Sequence, residues 1–136
     1  LFLGDHTIVV GRKCPMVGLF PITFEMKNKP QSHGYTVVEV ERENPFYPIG
    51  AVLYGHEFHY SAATESKAID EGKPTGEFYF AFKVNRGQGI KDKKDGICYK
   101  NTFAAYTHVH AYGAEEWVKG FINKAKEYRE RKNKAI

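Results

Sequence analysis

A strand-rich domain closed by a single C-terminal helix is the fold class this sequence predicts, and three observations carry it. Several short stretches alternate polar and apolar residues, most clearly 77–84, where Phe78, Phe80, Phe82 and Val84 share one face and Tyr79, Ala81 and Lys83 the other. Only residues 114–132 carry helical spacing, with Trp117, Phe121, Ala125 and Tyr128 recurring along one side and Glu115 and Glu116 in the first turn, where the helix dipole favours them. A chain of 136 residues, 42% hydrophobic and 15% aromatic, suits one domain spanning 1–136 with a core of its own, and no apolar run is long enough to cross a membrane.

The elements follow in order. Residues 6–10 and 14–20 read as a hairpin around Gly11-Arg12. Residues 21–34 contain Pro, Asn, Lys and Gly without a period and read as a loop. In 35–43, Tyr35, Val37 and Glu39 alternate with Thr36, Val38 and Val40, which predicts a strand. Pro45, Pro48 and Gly50 mark a turn over 45–50, and 51–61 reads as one or two strands. The polar stretch 64–74 predicts an excursion loop, and the Gly-, Lys- and Asp-rich 87–96 a mobile one. Residues 97–99 and 102–110 continue the sheet before the helix. There is no internal repeat.

The formal charge of +4 is concentrated after Lys119, and the basic tail at about 129–136 reads as a solvated helix face. Its basic residues are not interleaved with exposed aromatics, so nucleic acid is not the expected partner. Two cysteines make no disulfide framework, which points to an intracellular, reducing, cytoplasmic setting. The chain opens on Leu1 with a short apolar run that lacks a basic leader, so it is expected to begin inside a larger protein.

Four of the six histidines lie in two aromatic segments, Gly55-His56-Glu57-Phe58-His59 and Tyr106-Thr107-His108-Val109-His110. Strand periodicity puts His108 and His110 on one face and sets His56 opposite to Glu57 and His59. The His56-Glu57-x-His59 spacing does not fit the zinc-protease signature, which needs histidines at i and i+4 on a helix. His108-x-His110 with Glu115 is nearer to a cupin-like metal site, although Thr102 stands where a glycine is expected and Glu115 opens a helix. Cys14 and Cys98 lack the sharp glycine-flanked turn a nucleophile needs, and read as small buried hydrophobes. The histidines also admit a plain structural role as satisfied, partly buried polar groups.

These segments resemble a known family. Gly55-His56-Glu57-Phe58-His59-Tyr60-Ser61 followed by Ala105-Tyr106-Thr107-His108-Val109-His110, with Cys14-Pro15-Met16-Val17-Gly18-Leu19-Phe20-Pro21 and Gly34-Tyr35, is similar to the C-terminal glutamine amidotransferase domain of cobyrinic acid a,c-diamide synthases. The resemblance runs from near Leu1 to about Ile122. It implies a class I glutamine amidotransferase-like α/β fold, here a partial domain, with His108 as the base that activates a cysteine thiol. Gly55, His56, Glu57, His59 and Tyr106 would line or buttress the pocket, with His110 behind it. The family's Cys-Gly-Gly nucleophile elbow should end just before Leu1, so the chain alone is expected not to hydrolyse glutamine. ATP and Mg would bind to a separate N-terminal domain, this chain itself holding no cofactor and no metal. Glutamine and a polycarboxylate tetrapyrrole would be the substrates, and an open sheet edge leaves room for a homodimer. Two other readings stay open: a non-catalytic binding module of the same fold, and a metal-binding cupin-like protein.

Overall fold

A computed structural model describes residues 1–66 and 78–134. Among them are nine strands, a 3-10 turn and one long helix. The strands are β1 (Gly4–Val9), β2 (Arg12–Pro15), β3 (Phe20–Met26), β4 (Ser32–Val40), β5 (Val52–His59), β6 (Ser61–Ser66), β7 (Tyr79–Arg86), β8 (Lys94–Tyr99) and β9 (Thr102–Ala104). The 3-10 turn spans Ala111–Gly113 and helix α1 spans Glu115–Lys134. One sheet has the order β2-β1-β3-β6, the other β5-β4-β7-β8-β9. All neighbours are antiparallel except β1 and β3, which run parallel.

The strand-rich body and the closing helix are as the periodicity predicts, but several boundaries differ for physical reasons. Of residues 21–34 only 27–31 form a loop, between β3 and β4: before it, Phe20, Ile22 and Phe24 of β3 point into the core. Pro21, which argued against a strand, falls where the β1–β3 register jumps from Gly4↔Phe20 to His6↔Thr23, an irregularity that tolerates a residue without an N–H. The hairpin at Gly11 is real but short, its second strand ending at Pro15. The excursion loop begins later than expected, because β6 runs to Ser66; the remainder, 67–77, lies outside the described residues. The Gly/Lys-rich 87–96 segment already contains the start of β8. The 102–110 strand stops at Ala104.

Two clusters form the core. Val38, Val40, Tyr47, Leu53, Phe82 and Val84 pack within the five-stranded sheet, joined by Cys98 and Ala114. Phe20, Ile22 and Phe24 of β3 meet Ile90, Ile97 and Tyr106 in the other, with Phe78 and Phe80 against them. The row Phe78, Phe80, Phe82 and Val84 is therefore divided between two cores. Helix α1 buries none of its residues fully. None of the helices among the described residues is long and apolar enough to cross a membrane.

The chain that leaves β9, one edge of the five-stranded sheet, returns to β5, the opposite edge. His56 N–H donates to the His108 carbonyl at 3.0 Å, and His108 N–H to the His56 carbonyl at 2.9 Å. This reciprocal pair closes the sheet on itself, and both histidines sit on the seam.

Candidate active site at the histidine seam

Glycine is required at position 55 for the seam to close. A Cβ there would stand 2.4 Å from the His108 carbonyl oxygen and 2.9 Å from Thr107 Cγ2. With that approach open, the His56 and His108 rings stack, centroids 5.1 Å apart, and both are exposed. His108 Nδ1 lies 3.3 Å from the His56 carbonyl, a bond that would leave Nε2 as the nitrogen available for proton exchange.

Glu57 occupies the opposite face of β5 and is fully buried. A buried carboxylate is tolerated only when its lone pairs are filled. Gly89 N–H donates to Oε1 at 2.9 Å and Gln88 N–H to Oε2 at 3.2 Å. His59 Nε2 stands 3.5 Å from Oε2, an ion-pair distance rather than a well-formed hydrogen bond. Burial alone would raise the Glu57 carboxyl; the nearby His59 side chain, with hydrogen bonds from Ser32 and from the Gly89 and Gln88 backbone, outweighs it and brings it down to about 2. Glu57 thus stays ionised and pins the 88–89 turn to β5.

His59 Nδ1 lies 2.9 Å from the Ser61 carbonyl, so it must be the donor there. Its ring stacks on Tyr106 with centroids 3.9 Å apart. The Tyr106 hydroxyl meets Ser61 Oγ at 2.5 Å, and Phe24 approaches its ring edge-on at 5.9 Å. Burial pushes the Tyr106 phenol up to about 12, the Ser61 bond opposing and the Asp95 and Glu57 charges adding to it. His59 also lines a cleft of about 420 Å³ with Gln31, Ser61, Gln88 and Lys93.

The structure therefore brings together Gly55, His56 and His108 at the seam, and Glu57, His59 and Tyr106 on the buried side. His110 departs from expectation. It is not on a strand face with His108; it precedes the 3-10 turn, where Nδ1 accepts from Tyr112 N–H at 3.3 Å and its ring stacks on Tyr112. The paired-histidine geometry behind the cupin-like metal reading is accordingly lost. Among the described residues no group of three or more His, Cys, Asp or Glu is placed to hold a metal ion.

Cys98 is fully buried, its Sγ 3.5 Å from the Gly96 carbonyl, and burial pushes the thiol up to about 11. Cys14, in β2, is half-buried rather than buried as expected. A residue the sequence reading passed over, Asp95, is fully buried in β8. Its carboxylate accepts from the N–H groups of Gly96, Tyr106 and Thr107 and from the Thr107 hydroxyl. The one signal for it was a strand signal hidden by Gly96, whose left-handed φ of +64° made Lys94-Asp95-Gly96 resemble a turn.

Comparison with known proteins shows the family. The family model of the CobB/CobQ-like glutamine amidotransferase domain matches residues 2–116. The cobyrinate a,c-diamide synthase of Magnetococcus marinus is 36% identical over 117 residues, 86% of this chain and 23% of that protein. The enzyme of the same name from Archaeoglobus fulgidus is 33% identical over 92% of this chain and 25% of its own length. That from Sulfurisphaera tokodaii is 39% identical over 76% of this chain and 22% of its own. The chain spans about a quarter of the length of the curated relatives it matches. With the seam, the buried Glu57 and 115 matched residues in place, the chain belongs to the CobB/CobQ-like glutamine amidotransferase family.

Proposed function

We propose that this chain supplies the histidine half of a glutaminase site, within a ligase that amidates the a,c side-chain carboxylates of a cobyrinic acid-like tetrapyrrole. The observation that carries the reading is the placement of His108. Its ring is exposed, while the two residues before it are buried and its backbone is locked to His56. A general base needs that combination of access and fixed position.

In this reading His108 takes the proton of a cysteine thiol supplied from outside residues 1–136. The thiolate attacks the side-chain amide carbon of glutamine, and the imidazolium returns the proton to the departing ammonia. Water then releases glutamate from the thioester. Neither cysteine here suits the nucleophile's role: Cys98 is held as a thiol in the core, and Cys14 lies in the β2 hairpin strand. In this reading ATP and Mg bind to a separate N-terminal domain, and carboxylate activation belongs there. A reducing, cytoplasmic setting accords with both free thiols.

The same two cysteines would suit a non-catalytic module of this fold, and one experiment separates the readings. In the full-length gene product His108→Ala should lower glutamine hydrolysis by about 10²–10⁴-fold, the range of general-base catalysis, while amidation driven by ammonium salts persists. Full glutaminase activity in that variant would sink the assignment, and no glutaminase activity in the unmutated protein would favour the binding module.

A further inference from the structure

We infer that Asp95 is a positioning residue for His108, acting through the backbone of Tyr106 and Thr107. The inference rests on the reading of His108 as the thiol's base and extends it to a residue of β8. After Ala104 no strand pairing holds the chain until the His56–His108 bridge. The N–H groups of Tyr106 and Thr107 would be orphans at a buried position, which a fold does not tolerate. Asp95 takes both: Oδ1 accepts from Tyr106 N–H at 3.0 Å and Oδ2 from Thr107 N–H at 2.8 Å. The Thr107 hydroxyl adds a third bond to Oδ2 at 2.7 Å, and Gly96 N–H donates to Oδ1 at 2.9 Å.

A carboxylate is the one side chain of this size that suits the position. Two oxygens meet donors on two successive peptide planes, so the planes are fixed relative to each other and to β8. An amide in its place would aim an NH2 group at one of those donors. The next residue along the fixed planes is His108, whose own amide completes the seam. Asp95 thus replaces the missing strand ladder with one side chain, and the direction in which the His108 ring leaves the backbone follows from it.

The test uses the full-length gene product and three variants, Asp95→Asn, Thr107→Val and Thr107→Ser, read by amide hydrogen exchange and by glutamine kinetics. Asp95→Asn should speed exchange at Tyr106, Thr107 and His108 by about tenfold or more, with the amides of β4 and β7 unchanged. Its kcat should fall about 10–100-fold with KM held within about threefold, as for other groups that orient a catalytic side chain. Thr107→Val should move both readouts the same way but less, and Thr107→Ser should restore them. The inference is overturned if Asp95→Asn folds with exchange at 106–108 and kcat unchanged, or if protection is lost evenly across the sheets. If Asp95→Asn does not fold, Thr107→Val decides, and wild-type exchange and kcat in that variant overturn it. The two ideas fail separately. A fully active His108→Ala removes the base assignment whatever Asp95 does, whereas an inactive His108→Ala with an indifferent Asp95→Asn removes only the positioning role.

Discussion

Replacing Glu57 by Gln should show how much a single buried carboxylate contributes to this domain. Its carboxyl is held at about 2 in the folded chain against an ordinary 4.5, so folding is linked to its ionisation. At about 1.4 kcal/mol per tenfold, that gap corresponds to about 3 kcal/mol. The sign follows from the direction of the shift. A depressed carboxyl contributes stability fully present above about pH 4.5 and lost as pH falls toward 2. Glutamine keeps the shape but turns an NH2 group toward the Gln88 or Gly89 N–H, setting donor against donor. The variant should therefore be less stable by about 3 kcal/mol at pH 7, with the difference narrowed to about 1 kcal/mol at pH 2.5, where folded Glu57 is still mostly ionised, and closing only below about pH 2. Urea unfolding followed by far-UV circular dichroism at pH 7, 4.5 and 2.5 measures the difference directly, and other carboxylates cancel from it. A difference below about 0.5 kcal/mol at pH 7, within the range of an ordinary surface substitution, would refute the linkage. So would a difference that does not narrow with acid.

The remaining expectations concern the seam, the core phenol and the thiols. Gly55→Ala puts a methyl 2.4 Å from the His108 carbonyl, so it should cost about 2–4 kcal/mol and remove exchange protection from the His56 and His108 amides together; unchanged protection would contradict the close approach. Tyr106→Phe removes the partner of Ser61 Oγ and should destabilise by about 1 kcal/mol at pH 7. Because burial raises that phenol to about 12, the unmutated chain should lose stability as pH climbs from 10 to 12, and titration of urea midpoints should show the variant losing less. Native protein at pH 8 should give one thiol equivalent with an aromatic disulfide reagent, from half-buried Cys14. Two should appear in guanidinium, since Cys98 is buried with its thiol pushed to about 11; two fast equivalents in the native state would contradict that burial.

Much of the fold was legible because periodicity reports burial. Residues 77–84 and 35–43 alternate, and β7 and β4 lie there; Trp117, Phe121 and Tyr128 recur at helical spacing, and α1 lies there. What misled were residues whose local preference the tertiary structure overrides. Pro21 marks a loop in isolation, but in β3 it occupies a register irregularity where its missing donor costs nothing. Gly96 marks a turn, but in β8 it adopts a left-handed φ, and a Cβ there would stand 2.9 Å from Phe82 and Phe103. Alternation of polar and apolar residues over 102–110 implied a strand, yet Tyr106 and Thr107 are both buried and the partner for their amides is a side chain, not a neighbouring strand.

That last substitution also explains which part of the site the sequence concealed. His108, His56 and Glu57 are chemically conspicuous, but it was the family resemblance of their two segments that gave His108 its expected role. Asp95 belongs to a Lys-Lys-Asp-Gly stretch indistinguishable in composition from an exposed loop, and its meaning depends on donors eleven and twelve residues away. Both buried acids do the same physical work on opposite sides of the site. Glu57 pins the 88–89 turn to β5, and Asp95 pins the 106–107 arm to β8, each by receiving backbone N–H groups that no strand ladder reaches. A site assembled from ladder pairs alone would hold every residue in strand register. Here the two residues before His108 are tied to a carboxylate and His108 alone re-enters pairing, so its ring is exposed next to a stretch of fixed backbone. Under the proposed reading, an exposed ring beside that fixed backbone is what a proton-transferring imidazole requires.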